Sequence, residues 1–229
     1  METIVTKAAK AREIISFTLK KLGRIGVFCS FGKDSMVVLH LALQVDPNIP
    51  VIAVMTPFKP KETFDYMESM NNLWNLNLHV FQTDQKVEKE LCVFNPDECC
   101  RINKEEPTKC ALRDLDAWIC GLRRTEGRTR TDFDTFEQTD RTFIGQDGLI
   151  TKVNPILDWT ETDIWKYMAI NEIPVHEWYK QGYRSLGCSP CTHLVDDIDT
   201  ERAGRWLGTS KCGGECGIHT MHKHPEIRP

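Results

Sequence analysis

The chain of 229 residues predicts an α/β fold, a mostly parallel sheet with helices on both faces. Three observations carry this reading. Short apolar runs alternate with helical patterns through the first half of the chain. A glycine-containing loop joins the first apolar run to a buried helix. Periodicity then stops near Pro174, where glycines, prolines and cysteines take over.

In order, residues 7–22 read as a helix, with Ala8, Ala11, Ile15, Leu19 and Leu22 at helical spacing. Residues 25–29 form a strand, 30–35 a turn and 36–43 a buried helix. Strand 49–55, helix 62–76, strand 78–83 and short helix 87–92 continue the alternation, which implies parallel strands with crossover helices. The stretch Cys99 to Lys104 is followed by a helix to about Ala117 and a strand over 118–124. The polar residues 128–141, rich in Thr and Asp, predict a mobile loop, and 149–153 another strand. Thr160 caps a helix running to Ile170. The expected organisation is a nucleotide-binding domain over 1–206 and a mobile tail over 207–229.

Composition narrows the function. A net charge of −4 argues against a general nucleic-acid binder. Within 101–130, however, eight Lys/Arg face five Asp/Glu, which prepares an anion site. Residues 1–20 hold no uninterrupted apolar run, and no stretch approaches a membrane span. Ten cysteines without an export signal point to metal or redox work in a reducing cytoplasm.

The loop Ser30-Phe31-Gly32-Lys33-Asp34-Ser35 follows a strand and opens a helix, the geometry that offers backbone N–H groups to phosphate. It lacks the Walker spacing and resembles the PP-loop of ATP pyrophosphatases and their adenine-nucleotide-binding relatives. Lys33 supplies a charge, Ser30 and Ser35 hydroxyls, and Gly32 a backbone open to close approach. An ordinary solvated turn is the plainer alternative.

The cysteines admit three readings. Cys99-Cys100 and Cys188-x-x-Cys191 are two pairs of soft ligands that suit an iron–sulfur cube, a zinc ion, or nothing but core packing. Cys29, Cys92, Cys110 and Cys120 sit in apolar or helical runs and read as buried thiols. Cys216, in Gly213-Gly214-Glu215-Cys216-Gly217-Ile218-His219, has no packing explanation and is the candidate nucleophile, with Lys211 and His219 near in sequence.

Several further blocks stand in order along the chain. They are Cys99-Cys100-Arg101-Ile102-x-Lys104, Trp118-x-x-Gly121-Leu122-Arg123-Arg124, Lys152-Val153-Asn154-Pro155 and Asp158-Trp159-Thr160. Arg202-Ala203-Gly204-Arg205-Trp206 and Glu215-Cys216-Gly217-Ile218-His219 complete them. On these residues the chain resembles the assimilatory adenylylsulfate and phosphoadenylylsulfate reductases of the iron–sulfur branch, over Ser30 to His219. The resemblance implies a [4Fe–4S] cluster on Cys99, Cys100, Cys188 and Cys191, with Lys104 between cluster and substrate. It further implies anion binding by Arg123, Arg124, Arg202 and Arg205. Cys216 would take the sulfonyl group from adenosine 5′-phosphosulfate and give it up as sulfite to a thioredoxin-type dithiol. A cytoplasmic enzyme, possible homo-oligomer, with no nucleic-acid or membrane partner is expected.

Three departures qualify the resemblance. The loop keeps Gly32-Lys33-Asp34-Ser35, closer to relatives that cleave ATP. Met55-Thr56-Pro57 stands where the family has Asp-Thr-Gly. Cys212 precedes Cys216 by four residues and reads as a bystander or as an internal resolving thiol. The competing functions are a 3′-phosphoadenylylsulfate reductase, an ATP-dependent adenylyl or sulfur transferase, and a zinc-stabilised nucleotide-binding module.

Overall fold

The computed structural model describes residues 2–196, 198–212, 214, 215 and 217–219, with the side chain of Arg128 excepted. Cys216, Gly213 and the chain beyond His219 lie outside the described residues. The elements are α1 (Ile4–Lys21), β1 (Ile25–Phe28), α2 (Lys33–Leu43), β2 (Val51–Val54), α3 (Lys61–Trp74), β3 (Leu78–Phe81), α4 (Leu91–Phe94) and α5 (Pro96–Cys100). They continue with α6 (Glu106–Leu112), β4 (Ala117–Ile119), β5 (Phe136–Asp140), β6 (Leu149–Val153), α7 (Glu161–Ile170) and α8 (Glu177–Lys180).

Six strands form one sheet in the order β3-β2-β1-β4-β6-β5, with every pairing parallel except β5 on β6. The chain winds outward from β1 to β2 and β3, then returns to place β4 on the other side of β1. That reversal opens a crevice at the carboxyl ends of β1 and β4, where ligands of such sheets bind. Alternation along each strand divides the core in two. Val27, Ala53, Ala117, Ile119 and Val153 pack with α1, α2 and α7 on one face. Ile52, Trp118 and Ile150 pack with Ala111 and Leu112 of α6 on the other. Helices therefore cover both faces, as the sequence predicts.

Two expectations need correction. Residues 128–141 are not one mobile loop: they contain 3-10 turns and the antiparallel edge strand β5. Its polar composition misleads because an edge strand buries little of itself. Phe136 nonetheless meets Phe17 of α1 edge-on at 5.8 Å. Cys110 is exposed rather than buried, because α6 turns Pro107, Thr108, Ala111 and Leu112 inward and leaves 110 outside. Smaller shifts occur at helix ends: the helix expected over 87–92 forms at 91–94, and the one expected to reach Ala117 stops at Leu112.

One irregularity positions the site. Between α5 and α6 the helix widens into a π-helical turn at Arg101–Glu105, directly after the paired cysteines. Such turns insert a residue into the helical ladder and re-aim the side chains beside it.

Candidate active site

A cavity of about 170 Å³ lies at the carboxyl ends of β1, β2 and β4. Ser30, Gly32, Asp34 and Ser35 form part of its wall, so the loop after β1 stands where the motif predicts. The turn is tight. Phe31 adopts a left-handed conformation (φ 61°) with its ring fully buried, and β4 exits so close to α2 that a Cβ on Gly121 would lie 2.8 Å from the backbone of Asp34 and Ser35. Ser35 Oγ donates to the Gly32 carbonyl at 2.9 Å, closing the first turn of α2.

Lys33 does not line this cavity. Its ammonium is buried and turned to Glu201 at 2.8 Å, to the Arg184 carbonyl at 2.8 Å and to Asp34 at 3.5 Å. Arg123, also fully buried, bridges the same two acids, with Nε at 2.6 Å from Asp34 and a terminal nitrogen at 2.6 Å from Glu201. Burial alone would raise the Asp34 carboxyl, but Lys33 and Arg123 outweigh it and hold its pKa below the ordinary value. The four side chains form a quartet of two bases and two acids, with Glu161 at 3.9 Å from Lys33 and itself paired with Arg184, and it ties the loop to the segment carrying Arg202 and Arg205. Arg124 is also off the cavity wall: it donates to Asp158, to the Phe133 carbonyl at 2.6 Å and to the Thr131 carbonyl at 3.2 Å.

The opposite wall brings Lys59, Lys104, Arg130, Arg202, Arg205 and His219 together. Arg205 donates to the Leu186 carbonyl at 2.8 Å and lies over the Trp206 ring at 4.6 Å. Gly187 leaves room for it there, since a Cβ would come within 2.4 Å of the Arg205 guanidinium and 2.7 Å of Thr192 Oγ1 and displace it. Arg130 pairs with Glu126, and Glu215 joins Arg130 at 2.7 Å to Arg202 at 2.8 Å. Burial, and then repulsion from Arg130, lowers the Arg202 pKa to about 10. His219 is half-buried beside these cations, and loss of solvation first, then Arg130, holds its pKa well below the ordinary imidazole value. The chain segments flanking position 216 are thus seated at the cavity. Arg130, Lys59, Glu126 and Tyr179 escaped the sequence reading. Arg130 stood inside the basic stretch already noted, but the supposed mobile loop hid it.

Cys99, Cys100, Cys188 and Cys191 gather in one buried cluster with Cys92 and Trp206. Burial and neighbouring thiols push Cys99 up to about 11 and Cys191 up to about 12. Cys188 goes the other way: burial opposes ionisation, but Lys104, Lys59, a hydrogen bond from Thr56 at 3.3 Å and Arg205 outweigh it. Asn103 Nδ2 reaches Cys99 Sγ at 3.7 Å, while Arg205 Nε and Trp206 Nε1 are buried without hydrogen-bond partners among the described residues. Among the described residues, no three His, Cys, Asp or Glu side chains converge as ligands of a single ion do. Cys29 and Cys120 lie on the cavity wall as protonated thiols, pushed by burial up to about 11 and about 12.

Residues 24–194 match the phosphoadenosine phosphosulfate reductase domain. The adenosine 5′-phosphosulfate reductase of Oceanobacillus iheyensis is 35% identical over 221 residues, covering 92% of this chain and 88% of the relative. Adenosine 5′-phosphosulfate reductase 2 of Bacillus subtilis is 32% identical over 216 residues, covering 90% and 88%. In fold, the chain is similar to the phosphoadenylyl-sulfate reductase of Candida auris (TM-score 0.68, 19% identity, 81% of this chain and 90% of that one). It is also similar in fold to the FMN adenylyltransferase of Candida glabrata (TM-score 0.62, 19% identity, 87% and 70%). On the extent of the domain match and the identity to its relatives, the chain belongs to the phosphoadenosine phosphosulfate reductase family of oxidoreductases.

Proposed function

We propose that the chain reduces adenosine 5′-phosphosulfate to sulfite and AMP in sulfate assimilation, with Cys216 as nucleophile. The observation that carries the reading is the cavity at the β1/β4 crevice. The phosphate-type loop forms one side and a cationic wall the other, with Glu215 and Gly217–His219 docked on it. The names of the curated relatives support the unphosphorylated nucleotide as substrate.

In this scheme the Cys216 thiolate attacks the sulfate sulfur. An S–S bond forms as the bridging S–O bond breaks, and AMP leaves with the electron pair. Lys104, Arg202 and Arg205, with Arg130, hold the sulfate and phosphate oxygens through charge-assisted hydrogen bonds. Ser30, Gly32 and Ser35 face the nucleotide phosphate from the loop. His219, held neutral by its surroundings, lines the same cavity. Lys33 and Arg123 act indirectly by fixing Asp34 and Glu201, and Arg124 fastens the chain behind them. A thioredoxin-type dithiol then attacks the Cys216 sulfur. Sulfite departs, and the carrier's second thiol frees Cys216 as the carrier is oxidised.

The four cysteines suit a [4Fe–4S] cluster. The donor set is all sulfur, the pocket is buried, cations surround it, and Arg205 and Trp206 leave polar atoms there without partners. Cys99, Cys100, Cys188 and Cys191 would hold the group, which would supply fixed charge to the site while the electrons come from the dithiol carrier. An ATP-dependent transferase would need Lys33 at a phosphate, whereas Glu201 holds it inside the protein. Among the described residues no helix is long and apolar enough to cross a membrane, and the reducing cytoplasm suits these free thiols.

The test is anaerobic purification, iron and sulfide analysis, and incubation with adenosine 5′-phosphosulfate and a dithiol. Sulfite and AMP should form, and Cys216→Ser should abolish both. Unchanged sulfite production by that variant would overturn the proposal.

A further inference from the structure

The thiol cluster contains one sulfur more than a four-ligand group requires. Cys92 is 1% exposed and packs in the same pocket as the four cysteines of the two pairs. Its neighbours on α4 make its burial informative: Val93 is 51% and Phe94 83% exposed. Hydrophobicity alone would turn the phenylalanine inward and leave the smaller, more polar thiol outside. The four-residue helix does the reverse. Its thiol donates to the Lys89 carbonyl at 2.7 Å, on a helix that packs against the turn ending in Cys191.

We propose that Cys92 is a fifth sulfur ligand of this site, able to take over the iron that Cys191 would hold. The inference rests on the reading of Cys99, Cys100, Cys188 and Cys191 as cluster ligands. The exchange is balanced. Cys92 gives up its proton as it binds, Cys191 takes one as it leaves, four thiolates remain on the group, and no electron moves. The pairing is with Cys191 because α4, which carries Cys92, lies against the 3-10 turn Ser189–Cys191.

The experiment compares wild type with Cys191→Ala, Cys100→Ala, Cys92→Val and Cys92→Val/Cys191→Ala, each purified without oxygen. Iron and acid-labile sulfide per chain are measured, with far-UV circular dichroism as the check on folding. Cys92→Val should carry wild-type iron and Cys191→Ala at least about half of it, while Cys100→Ala and the double variant should fall about tenfold or more. A folded Cys191→Ala as poor in iron as Cys100→Ala would overturn the proposal. A second measurement does not need Cys191→Ala to fold. Against an iron chelator, Cys92→Val should lose iron several times faster than wild type, about threefold or more, because a momentarily released iron has no second thiol to catch it. Equal rates would overturn the exchange while leaving the four-cysteine cluster standing. Iron-free wild type would instead overturn the cluster reading itself.

Discussion

Two regions of this molecule hold cations a few residues from the same cavity, and they use them in opposite ways. In the loop region, Lys33 and Arg123 meet Asp34 and Glu201, and Glu161, itself paired with Arg184, stands 3.9 Å from Lys33. In the arginine wall, among the described residues Arg130 pairs with Glu126 and Glu215 and Arg202 with Glu215, and Arg130, Arg202 and Arg205 all line the cavity. The first set is neutral and holds the fold; the second keeps a surplus of positive charge facing a crevice. A cation in a phosphate-binding motif is therefore not a phosphate ligand by pattern alone. What decides is whether a buried acid has already satisfied it.

The sharpest way to break this contrast is to remove one member of the quartet. Arg123→Leu leaves two buried carboxylates sharing Lys33, and an uncompensated buried charge costs about 3–5 kcal/mol. Chemical denaturation should show that loss. Arg123→Leu/Glu201→Leu, which leaves Lys33 with Asp34, should recover a good part of it. If the single variant is as stable as wild type, the quartet does not hold the fold.

The wall should respond in activity before stability. Arg205→Ala removes a guanidinium from the cavity, and loss of one such contact to developing charge costs about 100-fold in kcat/KM. Trp206 and the Leu186 carbonyl lose their partner too, so some stability goes with it. A kcat/KM within a few-fold of wild type would remove Arg205 from the site.

A third effect comes from outside both regions. His176 is buried, with Nε2 at 3.0 Å from Thr63 Oγ1 and Nδ1 accepting from the Trp178 N–H at 3.1 Å. Burial, and then the Lys59 charge, lowers its pKa to about 4. Between that value and the unfolded value of about 6.5, the unfolded chain binds more protons, so stability rises with pH across this window and is lost as pH falls through it. The contribution is about 3 kcal/mol. Denaturation midpoints at pH 7 and pH 4.5 should differ less in His176→Gln than in wild type; an unaltered difference would assign the pH effect elsewhere.

How legible this was in the sequence follows from range. The alternation of apolar runs and helices is local, so β1, β2, β3, β6 and the helices between them stand nearly where periodicity puts them. The Thr160–Asp163 capping box is equally local and forms as read. β5 was missed because an exposed edge strand leaves little apolar alternation to detect. Within the site, the wall residues Arg202 and Arg205 carried a motif, whereas Arg130 is placed by its contacts with Glu126 and Glu215, the latter 85 residues away. The reversal of Lys33 was illegible for the same reason: its partner Glu201 lies across the fold, and no spacing rule joins positions 33 and 201.

Arg124 offers the smallest and most selective test of the comparison. It follows Arg123 directly in the chain, shares its chemistry, and resemblance gives both the same task. Yet Arg123 is fully buried between two acids, while Arg124 pairs with Asp158, itself 78% exposed, and with carbonyls of 131 and 133. Exposed ion pairs contribute about 0–1 kcal/mol, and the carbonyl contacts add a similar amount at most. Arg124→Ala should therefore cost about 1 kcal/mol and leave kcat/KM within about twofold of wild type. A large fall in kcat/KM with stability preserved would mean that Arg124 leaves Asp158 and turns inward when nucleotide binds, and the division between structural and substrate-facing cations would have to be redrawn. Two adjacent arginines with effects differing by several kcal/mol in stability would instead show that burial and partners, not motif membership, assign each cation its work.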